Sequence, residues 1–208
     1  MIRVLLISLC SLLAVSCKSI KLDGIYTDSF ITQESVIENN YFATLGEEHI
    51  FRANMTVFKH ELSGLLVVKR MDENQHRVVM TSDFGNTLFD FSIYSDKYAV
   101  NYVMSDINKK LILNILAKDF QLFTAVQLPV KKLSLREDDT VFLGRYNKLE
   151  TVVFWDNALG RVSRLVYGTP KKAKVSYNYV QSENDKPILS IEHYNFPMRI
   201  ILTPMTDE

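Results

Sequence analysis

His76-Arg77-Val78-Val79-Met80-Thr81-Ser82-Asp83-Phe84-Gly85-Asn86-Thr87 governs the reading of this chain. His76 to Thr81 is an apolar run of strand length. Ser82 to Asn86 is small, polar and turn-forming, except for Phe84. Thr87 then opens a second run to Tyr94 in which Phe89, Phe91 and Ile93 share one face. Strand, tight loop and strand make a hairpin, and the same two-residue period extends outward from it.

Upstream, Phe51 to Phe58 alternates, with Ala53, Met55 and Val57 on one side and Arg52, Asn54 and Thr56 on the other. Leu62 to Val68 is more continuously apolar, interrupted by Ser63-Gly64. Downstream, Tyr98 to Met104 places Tyr98, Val100, Tyr102 and Met104 on one face. The period then changes. In Ser105 to Phe123, Ile107, Leu111, Ile112, Ile115, Leu116, Phe120 and Phe123 recur at helical spacing, with Lys110, Asn114, Lys118 and Gln121 opposite, and Ser105 or Asp106 available as a cap. Lys131 to Asp139 reads as a charged connection. Period two returns in Thr140 to Tyr146, Glu150 to Trp155, Arg161 to Tyr167, Lys172 to Val180, Ile188 to Tyr194 and Met198 to Thr203.

The expected fold is therefore mainly β with a central helix, an α+β arrangement of about 11 antiparallel strands that should curl toward an incomplete barrel. The amphipathic helix must bury its stripe across the open mouth or concave face of that sheet. It then either completes a filled core, which composition alone favours, or lids an apolar cavity of the kind that binds greasy ligands. The composition agrees with one folded unit: 208 residues, 47% hydrophobic and 23% charged, rich in Phe and Tyr and poor in Gly and Pro. With 24 Lys plus Arg against 24 Asp plus Glu, the chain lacks the basic excess that binds a phosphate backbone, so nucleic acid is not an expected partner.

The two cysteines, Cys10 and Cys17, both precede the folded body. Arg3 is followed by an apolar stretch from Val4 to Val15, too short to span a bilayer, which takes about 20 residues, but of signal-peptide length. Its end, Leu13-Ala14-Val15-Ser16-Cys17, resembles the lipobox of bacterial lipoproteins, although Ala14 stands where Leu is common. That resemblance implies cleavage before Cys17 and acylation of its thiol, with the acyl groups, palmitate among them, anchoring the protein in a membrane. The expected division is residues 1–16 as lipoprotein signal peptide, 17–47 as lipidated tether with a short helix near Ser35 to Phe42, and 48–208 as the folded domain.

No catalytic signature is present. There is no nucleophile elbow, P-loop or dinucleotide-binding glycine run. His49, His60, His76 and His193 are scattered. His60-Glu61 and Glu192-His193 lie on strands, where adjacent side chains point to opposite faces. Asp138-Asp139 reads as a solvated turn. The chain is expected not to be an enzyme, and no metal or cofactor is indicated.

The hairpin quoted first is similar to the third and fourth strands of the LolB family, outer-membrane receptors of the bacterial lipoprotein-localisation pathway, within the LolA/LolB superfamily. There an apolar strand ends in Thr, a loop carries a hydrophobic residue directly before Gly, and a Thr-containing strand follows. Ser63-Gly64-Leu65-Leu66-Val67-Val68-Lys69 resembles the strand before it. Lys174-Val175-Ser176-Tyr177, Pro187-Ile188-Leu189-Ser190-Ile191 and Arg199-Ile200-Ile201-Leu202 follow the order of the closing strands. The resemblance implies a half-barrel with a helical lid over an apolar cavity. It also implies transport without covalent chemistry: acyl chains of lipoproteins or lipids are accepted, with a periplasmic LolA-like carrier as a possible donor, and delivered to the periplasmic face of the outer membrane. By position, Phe84 matches a membrane-insertion loop residue, with the alternative that it folds back onto the sheet as a plug. The cavity walls expected by face are Val67, Phe89, Phe91, Ile93, Val100, Tyr102, Leu111, Ile115, Leu116, Val175 and Tyr177. The family's second middle helix with its Trp is missing; only Leu128-Pro129-Val130 remains of that segment, and Trp155 lies in a strand. The cargo then need not be a lipoprotein. Two alternatives remain: a structural or assembly lipoprotein that uses the same fold for protein–protein contact, and a lipocalin-like barrel suggested by Asp23-Gly24-Ile25-Tyr26, which would carry its helix after the strands.

Overall fold

The computed structural model describes residues 21–22, 29–180 and 187–205; the signal segment, Cys10, Cys17 and Asp23-Gly24-Ile25-Tyr26 lie outside them. The described chain forms β1 (Ile31–Glu38), β2 (Glu48–Val57), β3 (His60–Asp72), β4 (Gln75–Ser82), β5 (Thr87–Tyr94), β6 (Tyr98–Val103), α1 (Lys110–Phe123), β7 (Gln127–Leu135), β8 (Asp139–Tyr146), β9 (Leu149–Asp156), β10 (Arg161–Thr169), β11 (Lys172–Val180), β12 (Ile188–His193) and β13 (Met198–Pro204). All strands join one antiparallel 13-stranded sheet in the order β1-β7-β8-β9-β10-β11-β12-β13-β2-β3-β4-β5-β6. The helix is central in sequence and spans from the β6 edge to β7, as the meander with a helical insertion requires and a lipocalin order does not.

The expected strand count is corrected upward by two strands that pair with each other. β1 lies in the segment read as a tether with a short helix, of which only a 3-10 turn at Asn40–Phe42 is helical. β7 covers much of the charged connection. Along β1 Ile31 is 59% and Val36 53% exposed, because an edge strand lying outside most of the core needs no apolar alternation. β7 is out of period because its pairing with β8 slips between Val130 and Lys132. Pro129 stands one residue before that slip and opposite Val36 of the edge strand β1, next to an irregularity of the kind that tolerates a missing N–H. The strands nearly touch there. A Cβ at Gly144 would lie 2.2 Å from the Pro129 carbonyl oxygen, so this position on β8 demands glycine.

The concave face is filled from within. Leu113, Leu116, Ala117, Phe120 and Phe123 of α1 are buried against Phe89, Phe91 and Ile93 of β5, Val175 and Tyr177 of β11, and Ile191 and Ile200 of β12 and β13. Phe120 is tilted against both Phe89 at 5.7 Å and Phe91 at 6.3 Å between ring centroids. α1 begins later than the periodicity suggests: Ser105–Ile107 is a separate 3-10 turn, and Lys109 precedes the helix without a side-chain cap. The convex face carries a second, smaller cluster in which Leu22 is buried with Val141, Val152, Phe154, Val166 and Ala173, and Phe30 packs beside them. The segment before β1 is thus docked at those points on the outside of β8 to β11.

Hairpin connections alternate between the two ends of the sheet. Those at residues 57–60, 82–87, 146–149, 169–172 and 193–198 share one end, here called the Phe84 rim. Those at 72–75, 94–98, 135–139 and 156–161 share the other, the Glu73 rim.

Candidate functional site

The Phe84 rim is built from turns whose sequences favour tight reversal. In the β4–β5 loop, Gly85 N–H donates to Ser82 O at 2.9 Å and Ser82 N–H to Asn86 O at 2.8 Å. Gly85 takes φ +82°, the left-handed conformation that glycine adopts without strain. Asp83 fastens the loop to its neighbours: Arg52 of β2 holds one carboxylate oxygen at 2.6 Å, and Ser63 Oγ of β3 donates to the other. Phe84 stands on this braced loop and is 93% exposed. Of the two expected conformations, the plug is therefore absent and Phe84 faces outward. Exposing a large aromatic on a fixed loop forgoes about 1.5–3 kcal/mol of burial.

Inward from this rim, between α1 and the β8–β9, β10–β11 and β12–β13 hairpins, opens a cleft of about 270 Å³. Ile115, Leu149, Val175, Tyr177 and Phe196 supply apolar walls, with Lys118 and Lys174 also lining it. At its base lies a network invisible in the linear sequence. Tyr177 Oη donates to Asp119 Oδ1 at 3.0 Å, and His193 Nε2 lies 2.8 Å from Asp119 Oδ2. The side chains of Asp119 and His193 are 3% and 5% exposed. Burial pushes the Asp119 carboxyl above its ordinary range, opposed by the hydrogen bond and charge of His193 and the hydrogen bond from Tyr177. Burial, with Asp119 alongside, pushes the Tyr177 phenol well up. The trio ties the polar side of α1 to β11 and β12. Tyr98 Oη bonded to Asn114, and Gln121 Nε2 donating to Tyr94 O and Lys97 O at 3.0 Å each, tie it to the β5–β6 hairpin. Larger clefts open elsewhere: one of about 520 Å³ runs between Glu73 and Asn74 and the β8–β9 turn at Tyr146 and Asn147, and one of about 470 Å³ on the Glu73 rim is lined by Tyr41, Phe42, Ile50, Phe51, Leu189 and Met205, among others.

The expected wall residues divide. Phe89, Phe91, Ile93, Leu116, Val175 and Tyr177 are buried inside the half-barrel, and Ile115 is half-buried in the rim cleft. Val67 faces the convex side, opposite Ile50 and Val79; Leu66 and Val68 point inward instead. The β5–β6 pairing slips between Asp90 and Phe91, so Val103 rather than Tyr102 lies across from Phe89. Tyr102 is consequently 50% exposed, and Val100, on the uncovered edge strand, 39%. Leu111, in the first turn of α1, is 62% exposed at the Phe84 rim. These four do not line the interior. The pairing of His193 with Asp119 is not legible in the sequence, because no local spacing links them. The remaining hint was Asp119 beside the apolar stripe of α1.

Fold and site together define an open antiparallel half-barrel with one helix packed into its concavity and an exposed aromatic on one rim. No family model matches the chain, and no curated protein is similar to it in sequence. Among solved structures it is similar to a LolA superfamily protein, NE2245 from Nitrosomonas europaea, at a TM-score of 0.46 and 8% identity, over 76% of this chain and 83% of that one. A domain ascribed to outer membrane lipoprotein sorting in Vibrio parahaemolyticus gives 0.45 and 8%, over 80% and 86%. A DUF1329 family protein from Desulfovibrio piger gives 0.46 and 7%, over 77% and 85%. The likeness is one of general architecture; the functional reading below rests on the rim and its cleft.

Proposed function

We propose that this protein is a non-catalytic lipoprotein, anchored through acylated Cys17 at the periplasmic face of the outer membrane, which takes up acyl chains of lipoproteins or lipids and passes them to the bilayer. The observation that supports this is the conjunction at one rim of Phe84, exposed on a braced loop, with an apolar cleft leading under α1. The cleft has room for a segment of chain, and deeper entry requires α1 to swing away from Phe89, Phe91 and Tyr177. Transfer of apolar surface, at roughly 25 cal/mol per Å², drives each step.

Protein purified from a membrane-containing host should carry lipid detectable by mass spectrometry and should displace a fluorescent fatty acid. Phe84→Glu should keep both properties while abolishing delivery to vesicles. Cys17→Ser should move the protein to the soluble fraction, and absence of labelled palmitate from the wild type would remove the anchor. One observation favours a second reading, in which the same fold serves only protein–protein contact: α1 already fills the concavity with its own side chains. Finding neither lipid nor displacement would favour that scaffold.

A further inference from the structure

Neutral in sum, the chain is not neutral end to end. The β8–β9 and β10–β11 hairpins bring Arg145, Lys148, Lys171 and Lys172 to the Phe84 rim, all exposed. A cleft of about 310 Å³ is lined by Arg145, Lys148, Lys172 and Lys174, with Glu150 as the one carboxylate among its lining residues. Elsewhere on this rim Asp83 is held by Arg52 at 2.6 Å and Glu192 by Arg199 at 3.1 Å, while the exposed Glu61 and Asp106 are outnumbered by the exposed Lys59, Lys109 and Lys110. The hairpins at the other ends of these strands are acidic: Asp72 and Glu73 lie in one, Asp96 in the next, and Glu137 and Asp138 in a third, although the sheet curls so that Tyr146 and Asn147 of the β8–β9 turn line one cleft with Glu73 and Asn74.

Exposed apolar groups stand at both sets of turns, Leu135 (71%), Leu45 (63%) and Leu159 (53%) at the Glu73 rim among them, so it is the charge that distinguishes the basic rim. Phe84 is 93% exposed, Leu111 62% and Phe58 54%, and all three belong to that end. Phe58 is held there edge-on to Phe196, with ring centroids 5.1 Å apart. The N-terminal segment reaches the same end, where the Leu22 N–H donates to Pro170 O at 2.8 Å. Cys17 precedes Leu22 by so few residues that even fully extended chain, at about 3.5 Å per residue, keeps it within roughly 18 Å of the β10–β11 turn.

We infer that the Phe84 rim is a docking surface for an anionic lipid bilayer: Lys148, Lys171, Lys172 and Arg145 engage the headgroups while Phe84, Phe58 and Leu111 enter the interface. Basic residues near an anionic surface attract it individually and additively, and the apolar groups supply contact that salt does not screen. The surface and its charge stand without acyl-chain uptake; the proximity of the anchor rests on the acylation of Cys17 proposed above.

The test uses the mature chain from residue 17 carrying Cys17→Ser, so that neither the apolar signal segment nor acylation contributes, in co-sedimentation with vesicles of phosphatidylcholine alone or mixed equally with phosphatidylglycerol. Binding should rise with the anionic lipid and fall with added salt. Lys148→Gln, Lys171→Gln and Lys172→Gln together should weaken binding to the mixed vesicles on the order of a hundredfold, at about fivefold per charge. Glu137→Gln with Asp138→Asn, on the far rim, should leave it within about twofold. Equal binding to both vesicle types, an unaffected triple variant, or an equal effect of the far-rim pair would each overturn the inference. All five positions are exposed, and unchanged unfolding midpoints would show the variants folded. Fatty-acid displacement by the triple variant separates the two proposals. If uptake is absent while charge-dependent docking persists, the transport reading fails and the docking surface stands.

Discussion

Asp119 shows what a single residue on a helix can decide. Its two oxygens serve Tyr177 and His193, so removing the carboxyl strands two buried polar groups, each costing about 1–3 kcal/mol. Asp119→Ala should therefore lower stability by about 3–5 kcal/mol, the usual cost of taking one partner from a buried charged set, measurable by denaturant unfolding. His76 poses a different test. It is 7% exposed, and its Nε2 lies 2.9 Å from Phe42 O, which suits the neutral ring donating there. Burial lowers its pKa from the ordinary 6.5. The unfolded chain thus binds the proton first, so the stabilising contribution of neutral His76 is complete above about pH 6.5 and is lost progressively as pH falls toward the folded value. A plot of unfolding free energy against pH should slope downward on the acid side of 6.5, and His76→Gln should flatten that part of it.

At the scale of elements, the helix and the closest strand contact carry the largest consequences. Phe120 of α1 is fully buried between the β5 aromatics, and Phe120→Ala should cost about 3–5 kcal/mol through lost transfer energy and the void left behind. If α1 is a lid, the same change should also speed fatty-acid uptake, since it weakens the closed packing; a slower uptake rate would argue that α1 is fixed core. The β3–β4 pair is close enough that a Cβ at Gly64 would meet Thr81 O at 1.7 Å. Backbone cannot yield as a side-chain tip does, so Gly64→Ala should cost at least about 1–3 kcal/mol, visible as a lowered Tm. The small-residue break at Ser63-Gly64 was legible in the sequence as an interruption; the carbonyl that requires it was not, because it belongs to another strand.

The whole molecule is organised by the polarity of its two rims. Phe84 is exposed and its loop is held by Asp83, so Phe84→Glu should change stability by no more than about 0.5 kcal/mol, and its effect on delivery can be read free of folding defects. Arg52→Ala, by contrast, releases one arm of the Asp83 clamp. It should raise amide exchange in residues 82–87 while leaving the β3–β4 ladder protected. Docking of Leu22 and Phe30 on the convex face makes the segment before β1 a strap at these points. Leu22→Asp should increase proteolytic cleavage before Ile31 without unfolding the sheet.

What the sequence determined alone was the run of hairpins, the central helix and the inward residues of strands with an undisturbed period, such as Ala53, Met55, Phe89, Phe91 and Tyr177. Those follow from local alternation, which needs no knowledge of partners. Only the tertiary structure decided four things: the β1–β7 pair, the outward turn of Val67 and Tyr102, the Asp119 network and the division of charge between rims. A solvated edge strand need not alternate, a continuously apolar run such as Leu65 to Val68 does not say which of its faces turns inward, one bulge moves every later side chain to the other face as at Tyr102, and zero net charge is a sum without positions. Where the charges stand is fixed by which hairpins share an end of the sheet, and that depends on how the strands pair.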